Sequence, residues 1–239
     1  MFWVGADGCK KGWFAVRLST RDSWEVNLFP NIQELWQQYE GARLILLDIP
    51  IVLRDRGHAE RSCDIEARRL LGSKRRSSVF PVPCRAAIYA EREDGSKTNE
   101  QKTGRRLSMQ ALGIIPKIRE VDHFLLNNPT ARSRIREIHP EVCFWALNGR
   151  RPMEYSKKKE KGIQERKSVL RSVYPDSDRI FEYAEGKYFR KEVARDDILD
   201  ALAAAITAYK GEQGLKSIPE KPEYDSHGLR IEIVYSLAH

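Results

Sequence analysis

The order of apolar and polar positions along the chain outlines an α/β protein. Residues 2–18 form two apolar, aromatic runs parted by Asp7-Gly8-Cys9-Lys10-Lys11-Gly12, a polar stretch with two glycines. That pattern predicts a strand, a turn and a second strand. Trp24 to Phe29 alternates and predicts a third strand, stopped by Pro30. Asn31, with Glu34 three residues on, has the form of a capping box. Ile32, Leu35, Trp36 and Tyr39 follow at helical spacing, and Gly41 ends that helix. Leu44-Ile45-Leu46-Leu47-Asp48-Ile49-Pro50 is a short, continuous apolar run, the form taken by a strand buried on both faces. Three strands, a helix and a buried strand make a layered α/β arrangement.

Beyond Pro50 the pattern changes. Residues 54–130 are mainly polar and basic, with helices expected near 59–71 and 117–126 and a loop-rich piece between them containing Pro81, Pro83 and Gly95. Ile138 to Phe144 reads as a further strand, with Pro140 marking an edge or a bulge. Residues 155–173 predict a basic helix interrupted at Gly162. Asp196 to Lys210 is an Ala-rich helix, apolar almost all round and therefore buried, that ends at Gly211. Leu229 to Tyr235 predicts a last strand. No repeat or low-complexity linker divides the chain, so one domain over 1–239 is expected, with a basic insertion at about 54–130.

Composition narrows the class. The chain has 239 residues, 41% hydrophobic and 32% charged, which is enough for a substantial core and excludes a disordered or disulfide-scaffold protein. No apolar run approaches the ~20 residues of a membrane span, and the N-terminus lacks the basic and apolar regions of a signal peptide. A soluble cytoplasmic protein with no membrane partner is the expectation. The four cysteines (Cys9, Cys63, Cys84, Cys143) contain no Cys-x-x-Cys pair, so reduced, buried thiols are expected rather than a zinc knuckle or redox dithiol. The net charge of +8 is unevenly placed. Arg54 to Arg85 carries nine Lys/Arg against four Asp/Glu, and Arg150 to Arg171 nine against three. Such segments suit a polyanion such as nucleic acid; the alternative is a solvated basic face with no specific partner.

The carboxylates carry the candidate chemistry. Asp7 ends the first apolar run and Asp48 ends the buried-type strand. Glu141 falls in the strand expected at 138–144, with His139 beside it at strand spacing. Asp197 and Asp200 are three apart in the Ala-rich helix and share a face. Ionised carboxylates in apolar surroundings are costly without partners, and several at neighbouring strand ends repel one another. A divalent cation resolves both problems, and hard oxygen donors select magnesium or manganese. Two such ions, ~4 Å apart, would clamp a phosphodiester for hydrolysis. Each acid also has a plainer role open to it. Asp7 and Asp48 can serve as turn residues, Glu141 can pair with Arg134, Arg136 or Arg190, and Asp197 can sit at a helix start, where Asp196 is the better N-cap candidate. Asp200, one turn into an apolar helix, has no capping role. His139 reads as a structural histidine, and Lys10 and Lys11 as solvated.

These residues also carry a resemblance. Val4-Gly5-Ala6-Asp7-Gly8-Cys9-Lys10-Lys11-Gly12-Trp13, Leu47-Asp48-Ile49-Pro50, His139-Pro140-Glu141-Val142-Cys143-Phe144 and Asp196-Asp197-Ile198-Leu199-Asp200-Ala201-Leu202-Ala203-Ala204-Ala205 resemble domain-of-unknown-function family 429. Arg61-Ser62-Cys63-Asp64, Ala67-Arg68, Leu71-Gly72 and Ser77-Ser78-Val79-Phe80 are similar to it as well. That family is regarded as predicted nucleases of the RNase H fold. The resemblance therefore implies an RNase H-like mixed sheet in β-β-β-α-β-α-β-α order, with helices on both faces. The Asp-x-x-Asp-Ala-Leu-Ala pattern of the last helix resembles the final acidic helix of RuvC-type resolvases and singles out Asp197 and Asp200. The first motif resembles their opening Gly-x-Asp. Asp48 takes the place where those enzymes have Glu. Glu141 fits the family pattern without a resolvase counterpart. Resolvases work as dimers, which brings a homodimer into consideration.

Three functions remain to be weighed. The first is a metal-dependent nuclease with Asp7, Asp48, Asp197 and Asp200 holding two Mg2+ or Mn2+ ions, Glu141 as a further ligand, and basic segments on the nucleic-acid backbone. The second is an RNase H-fold nucleotide-binding protein of the actin and sugar-kinase type. Gly8 and Gly12 would serve its phosphate hairpin, although only one half of such a protein is visible and no GxxxxGK[ST] occurs. The third is a nucleic-acid binder without catalysis. The retained acids favour the first.

Overall fold

The computed structural model describes residues 1–20, 23–212 and 214–238. The two opening strands, β1 (Phe2–Cys9) and β2 (Gly12–Ser19), form an antiparallel hairpin around Lys10-Lys11, and β3 (Trp24–Phe29) adds antiparallel to β2. Helix α1 (Ile32–Tyr39) starts where the capping pattern placed it, with the Asn31 side chain accepting from the Glu34 N–H at 2.9 Å. It leads to β4 (Ile45–Asp48), which runs parallel to β1 with Asp7 opposite Asp48. Helices α2 (Ser62–Arg75), α3 (Arg85–Tyr89), α4 (Gly95–Thr103), α5 (Met109–Asn127) and α6 (Pro129–Arg132) occupy the stretch before β5 (Ile135–Glu137), which pairs parallel with β4. The result is an α/β protein with a mixed five-strand sheet in the order β3-β2-β1-β4-β5, consistent with an RNase H-like order. Helices α7 (Pro140–Leu147), α8 (Glu160–Val173), α9 (Ser177–Lys187) and α10 (Arg195–Gly211) follow, then a separate antiparallel hairpin, β6 (Lys216–Tyr224) and β7 (Arg230–Tyr235).

Several sequence expectations need correction. The strand expected over Ile138–Phe144 is shorter and earlier, at Ile135–Glu137, and Pro140 begins helix α7. Proline at the first helical position is pre-set for a helix and lacks only an N–H that would be orphaned there. Glu141 therefore lies in a first helical turn and not on a strand. Gly162 does not interrupt its helix: α8 begins at Glu160 and runs through it. The helix at 117–126 reaches back to Met109 with Pro116 inside it, and the one at 59–71 becomes Ser62–Arg75 with a break at Gly72 (φ +60°). The N-cap of α10 is Ala194 and not Asp196. Strand β6 has no counterpart among the expected elements. All four cysteines are buried free thiols, and no helix among the described residues is long and apolar enough to cross a membrane.

The sheet divides the core by the strand's two-residue period. Val4, Ala6, Ile45 and Leu47 face α1, α2 and α5, while Trp3, Leu46, Phe14 and Val16 face the side of α8, α9 and α10. Gly5 points to the latter face, and a Cβ there would lie 2.0 Å from the Ala205 nitrogen and 2.5 Å from the Ala201 oxygen. The backbone of α10 thus rests directly on the backbone of β1, which requires glycine on the strand and small residues on the helix. This contact sets the depth of α10 against the sheet.

Gly5→Ala is expected to cost stability at or beyond the upper end of the ~1–3 kcal/mol typical of overpacking, lowering the melting temperature by roughly 2–4 °C per kcal/mol for a chain of this size. Gly113→Ala, where a Cβ meets nothing within 4 Å, should hold or raise it. Equal melting temperatures for parent and Gly5→Ala by circular dichroism would contradict the backbone contact.

Candidate metal centre

Asp7 shares the face of Gly5, and Asp48 shares the face of Leu46, because each lies two residues further along its strand. Parallel register then sets the two acids side by side at the carboxyl ends of β1 and β4, where open α/β sheets place their ligand sites. Helix α10, held against Gly5, brings Asp200 to the same spot. One carboxylate oxygen from each of Asp7, Asp48 and Asp200 lies within 4.8 Å of the other two. Asp200 is fully buried, and its Oδ1 makes no hydrogen bond.

The electrostatics show how tightly these charges are confined. Burial pushes the Asp7 carboxyl well above its ordinary value, and Asp48, Asp200 and Asp197 push it further. Burial and then Asp200 do the same to Asp48. Asp200 is also raised by burial, against the pull of Lys157. That lysine is the cluster's countercharge. Its Nζ bonds Asp200 Oδ2 and lies 4.0 Å from Asp196. Burial disfavours the Lys157 charge, but Asp200, Asp7 and Asp48 outweigh it, so its pKa is raised.

The remaining candidates fall outside this group of three. Asp197 accepts the Ala194 N–H at 2.8 Å and so caps α10 from within its first turn. Burial raises it to about 6, with the Ala194 hydrogen bond opposing and Asp196 and Asp200 adding. Glu141 is paired with the fully buried Arg166 and lies 3.9 Å from Arg75, none of the partners expected for it. Arg166 in turn donates to the Tyr155 and Gly162 carbonyls, each at 3.0 Å. This pair fastens the loop that carries Lys157. Gly162 completes the fastening, since a Cβ there would lie 2.0 Å from the Ser156 oxygen. His139 contacts the Ser78 carbonyl at 3.3 Å through Nε2, its Nδ1 has no partner, and burial lowers its pKa. Lys10 and Lys11 are exposed.

Sequence reasoning missed two parts of the site. Lys157 sits in a loop within a basic run and carries no local signal. The second part is a buried node around Arg61. Its guanidinium meets Asp64 at 2.7 and 2.9 Å, Glu137 at 2.7 and 2.8 Å, and the Val52 carbonyl at 3.1 Å. Glu137 also accepts the Ile51 N–H at 2.8 Å. The node ties the chain leaving β4, just past Asp48, to α2 and β5. Arg61 and Asp64, three apart at a helix start, were the available clue.

Asp7 and Asp48 open onto a cleft that is also lined by Ser78 to Phe80, Val82, Gln110, Ile114, Lys117, Glu137 to Glu141 and Lys157. A family model described as "Protein of unknown function (DUF429)" matches residues 5–224. The chain belongs to the DUF429 family. Its matched span contains Asp7, Asp48 and Asp200 together with Lys157 and the Arg61 node, so the DUF429 match covers the whole centre. No curated protein and no solved structure matches this DUF429 chain. Three buried carboxylates this close, one with an unsatisfied oxygen, are a set of hard donors that can hold a divalent cation. One such group exists among the described residues.

A carboxyl raised above its ordinary 3.8 binds its proton more tightly folded than unfolded. Its ionisation therefore removes stability as pH rises from about 4 through the folded value, which is about 6 for Asp197. Metal-free Asp7→Asn is accordingly expected to melt above the parent at neutral pH, with the gap closing as pH falls. Manganese should raise the parent's melting temperature and leave that of the variant nearly unchanged. A variant that melts lower at neutral pH, or one that gains as much from manganese as the parent, contradicts the assignment.

Proposed function

We propose that this protein is a metal-dependent nuclease of RNase H-like fold, hydrolysing phosphodiester bonds at the Asp7/Asp48/Asp200 centre. The observation that carries the reading is the convergence of these three acids from β1, β4 and α10 on one buried spot. A structural role does not account for it, because burial and mutual repulsion destabilise all three. Asp7, Asp48 and Asp200 would hold Mg2+ or Mn2+, with Asp197, one turn before Asp200 on the same helix, as a further carboxylate for a second ion. When bound, the metal supplies a deprotonated water and a Lewis acid for the phosphoryl oxygens.

The other residues have supporting parts. Lys157 offsets the acidic charge and presents an ammonium to an incoming phosphate. Glu141 and Arg166 hold the Lys157 loop, and the Arg61 node holds the end of β4. Arg61 is saturated by its own carboxylates and is not available to substrate. Both basic segments contribute residues to the cleft lining, and their exposed cations would meet a nucleic-acid backbone and give salt-sensitive affinity. The nucleotide-binding alternative has less support. The first hairpin turns on Lys10-Lys11 alone, and Gly12 is pressed against the Phe29 carbonyl, which a Cβ would approach to 1.9 Å.

Purified protein is expected to cleave DNA or RNA only with Mg2+ or Mn2+ present. Asp7→Asn and Asp200→Asn should each reduce the rate by about two orders of magnitude or more with the fold retained. Gel-resolved cleavage of labelled substrates, with melting curves for each variant, measures both. Variants that cut as fast as an active parent refute the proposal.

A further inference from the structure

The cleft above the carboxylates is recessed, and its walls are chemically unequal. Asp7 is 7% exposed and Asp200 1%, so a phosphate reaches them only by entering the cleft. The stretch between β4 and β5 lines it with Pro50, Phe80, Val82 and Ile114, all partly buried. Polar groups share the lining with these apolar residues. Gln110 is exposed at the mouth, and His139 carries a ring nitrogen without a partner. Exposed Arg76, Lys158 and Lys159 lie within two residues of Ser78 and Lys157 of the cleft lining and make no ion pair among the described residues.

A duplex presents its phosphates on the outside of a stiff cylinder, with the bases stacked away from any wall. An unpaired strand can lower one phosphate into a recess and lay the attached base on an apolar or aromatic surface. Charge complementarity at the mouth suits the flanking phosphates of that strand. We infer that the cleft takes single-stranded nucleic acid, with one phosphodiester at the carboxylates and the adjoining base against Phe80. This rests on the nuclease reading for its phosphate end and adds to it the strandedness of the substrate and a specificity residue.

The test is fluorescence anisotropy with labelled oligonucleotides of one sequence, as single-stranded DNA, single-stranded RNA and DNA duplex. Calcium replaces manganese so that strands stay uncut. At least one single strand is expected to bind about tenfold more tightly than the duplex. Phe80→Ala should weaken single-strand binding by about tenfold, within the range of one base stack, and leave duplex binding unchanged; Phe80→Trp should retain it. Whichever single strand binds tighter identifies the sugar. Gln110→Glu, at an exposed site that does not affect folding, should also weaken single-strand binding and serves if Phe80→Ala fails to fold. Equal affinity for duplex and single strand overturns the inference, as does unchanged binding by a folded Phe80→Ala or by Gln110→Glu. Parallel cleavage in manganese separates the two claims. Duplex cut as fast as single strand sinks this inference alone, whereas single-strand preference without cleavage of any substrate sinks the nuclease reading alone.

Discussion

The site depends on a contact that involves no polar side chain. Helix α10 lies on β1 at backbone distance because position 5 has no Cβ and the helix offers Ala201, Ala204 and Ala205 there. A larger residue on either side would lift the helix, and Asp200 would leave Asp7 and Asp48. The pleat of the strands does the rest, placing Gly5 and Asp7 on one face and Leu46 and Asp48 beside them. The geometry of the three carboxylates is therefore a consequence of close packing, and packed cores move between discrete arrangements rather than yielding continuously.

Around that contact the chain manages a concentration of negative charge it would be more stable without. Lys157 is the main compensation, and two further ion-pair systems keep it effective. Glu141 with Arg166 holds the loop on which Lys157 sits, and Arg61 with Asp64 and Glu137 holds the strand end that carries Asp48. A buried ion pair adds little net stability over an apolar packing of the same shape. Here both pairs join segments far apart in sequence, so their contribution is positional: they fix where charged groups stand around the three acids.

Much of this was legible in the sequence, and the exceptions have physical causes. Strands β1 to β4, helix α1 with its Asn31 cap, and the buried helix α10 follow from local patterning, which is strong where one face is apolar or where a run is apolar throughout. Asp7, Asp48 and Asp200 stood out because each breaks an apolar stretch. The His139-Pro140-Glu141 segment was misread because a proline followed by apolar residues satisfies both an edge strand and the first turn of a helix. Only the absence of a pairing neighbour decides between them. Asp197 looked equivalent to Asp200, yet its place in the first turn commits one oxygen to the Ala194 N–H. Lys157 was out of reach because its partners are set by tertiary contacts that leave no periodicity, and the Arg61–Asp64 spacing showed only the local half of a node that Glu137 completes.

Charge counting met the same limit for a different reason. The segments 54–85 and 150–171 are both strongly basic by composition, but their cations divide into two populations that the count cannot distinguish. Arg61, Arg85 and Arg166 are buried and bound to carboxylates, and they contribute little field outside the protein. Arg76, Lys158 and Lys159 are exposed and lie within two residues of Ser78 and Lys157, which line the cleft. Only the second group attracts a polyanion, and a few unpaired cations at an opening steer a charged strand more effectively than many neutralised ones within the fold. The local charge that a polyanion would meet is therefore smaller than the sequence total. On the proposed reading an entering strand would meet attraction first, and at depth acids whose mutual repulsion a divalent cation would relieve.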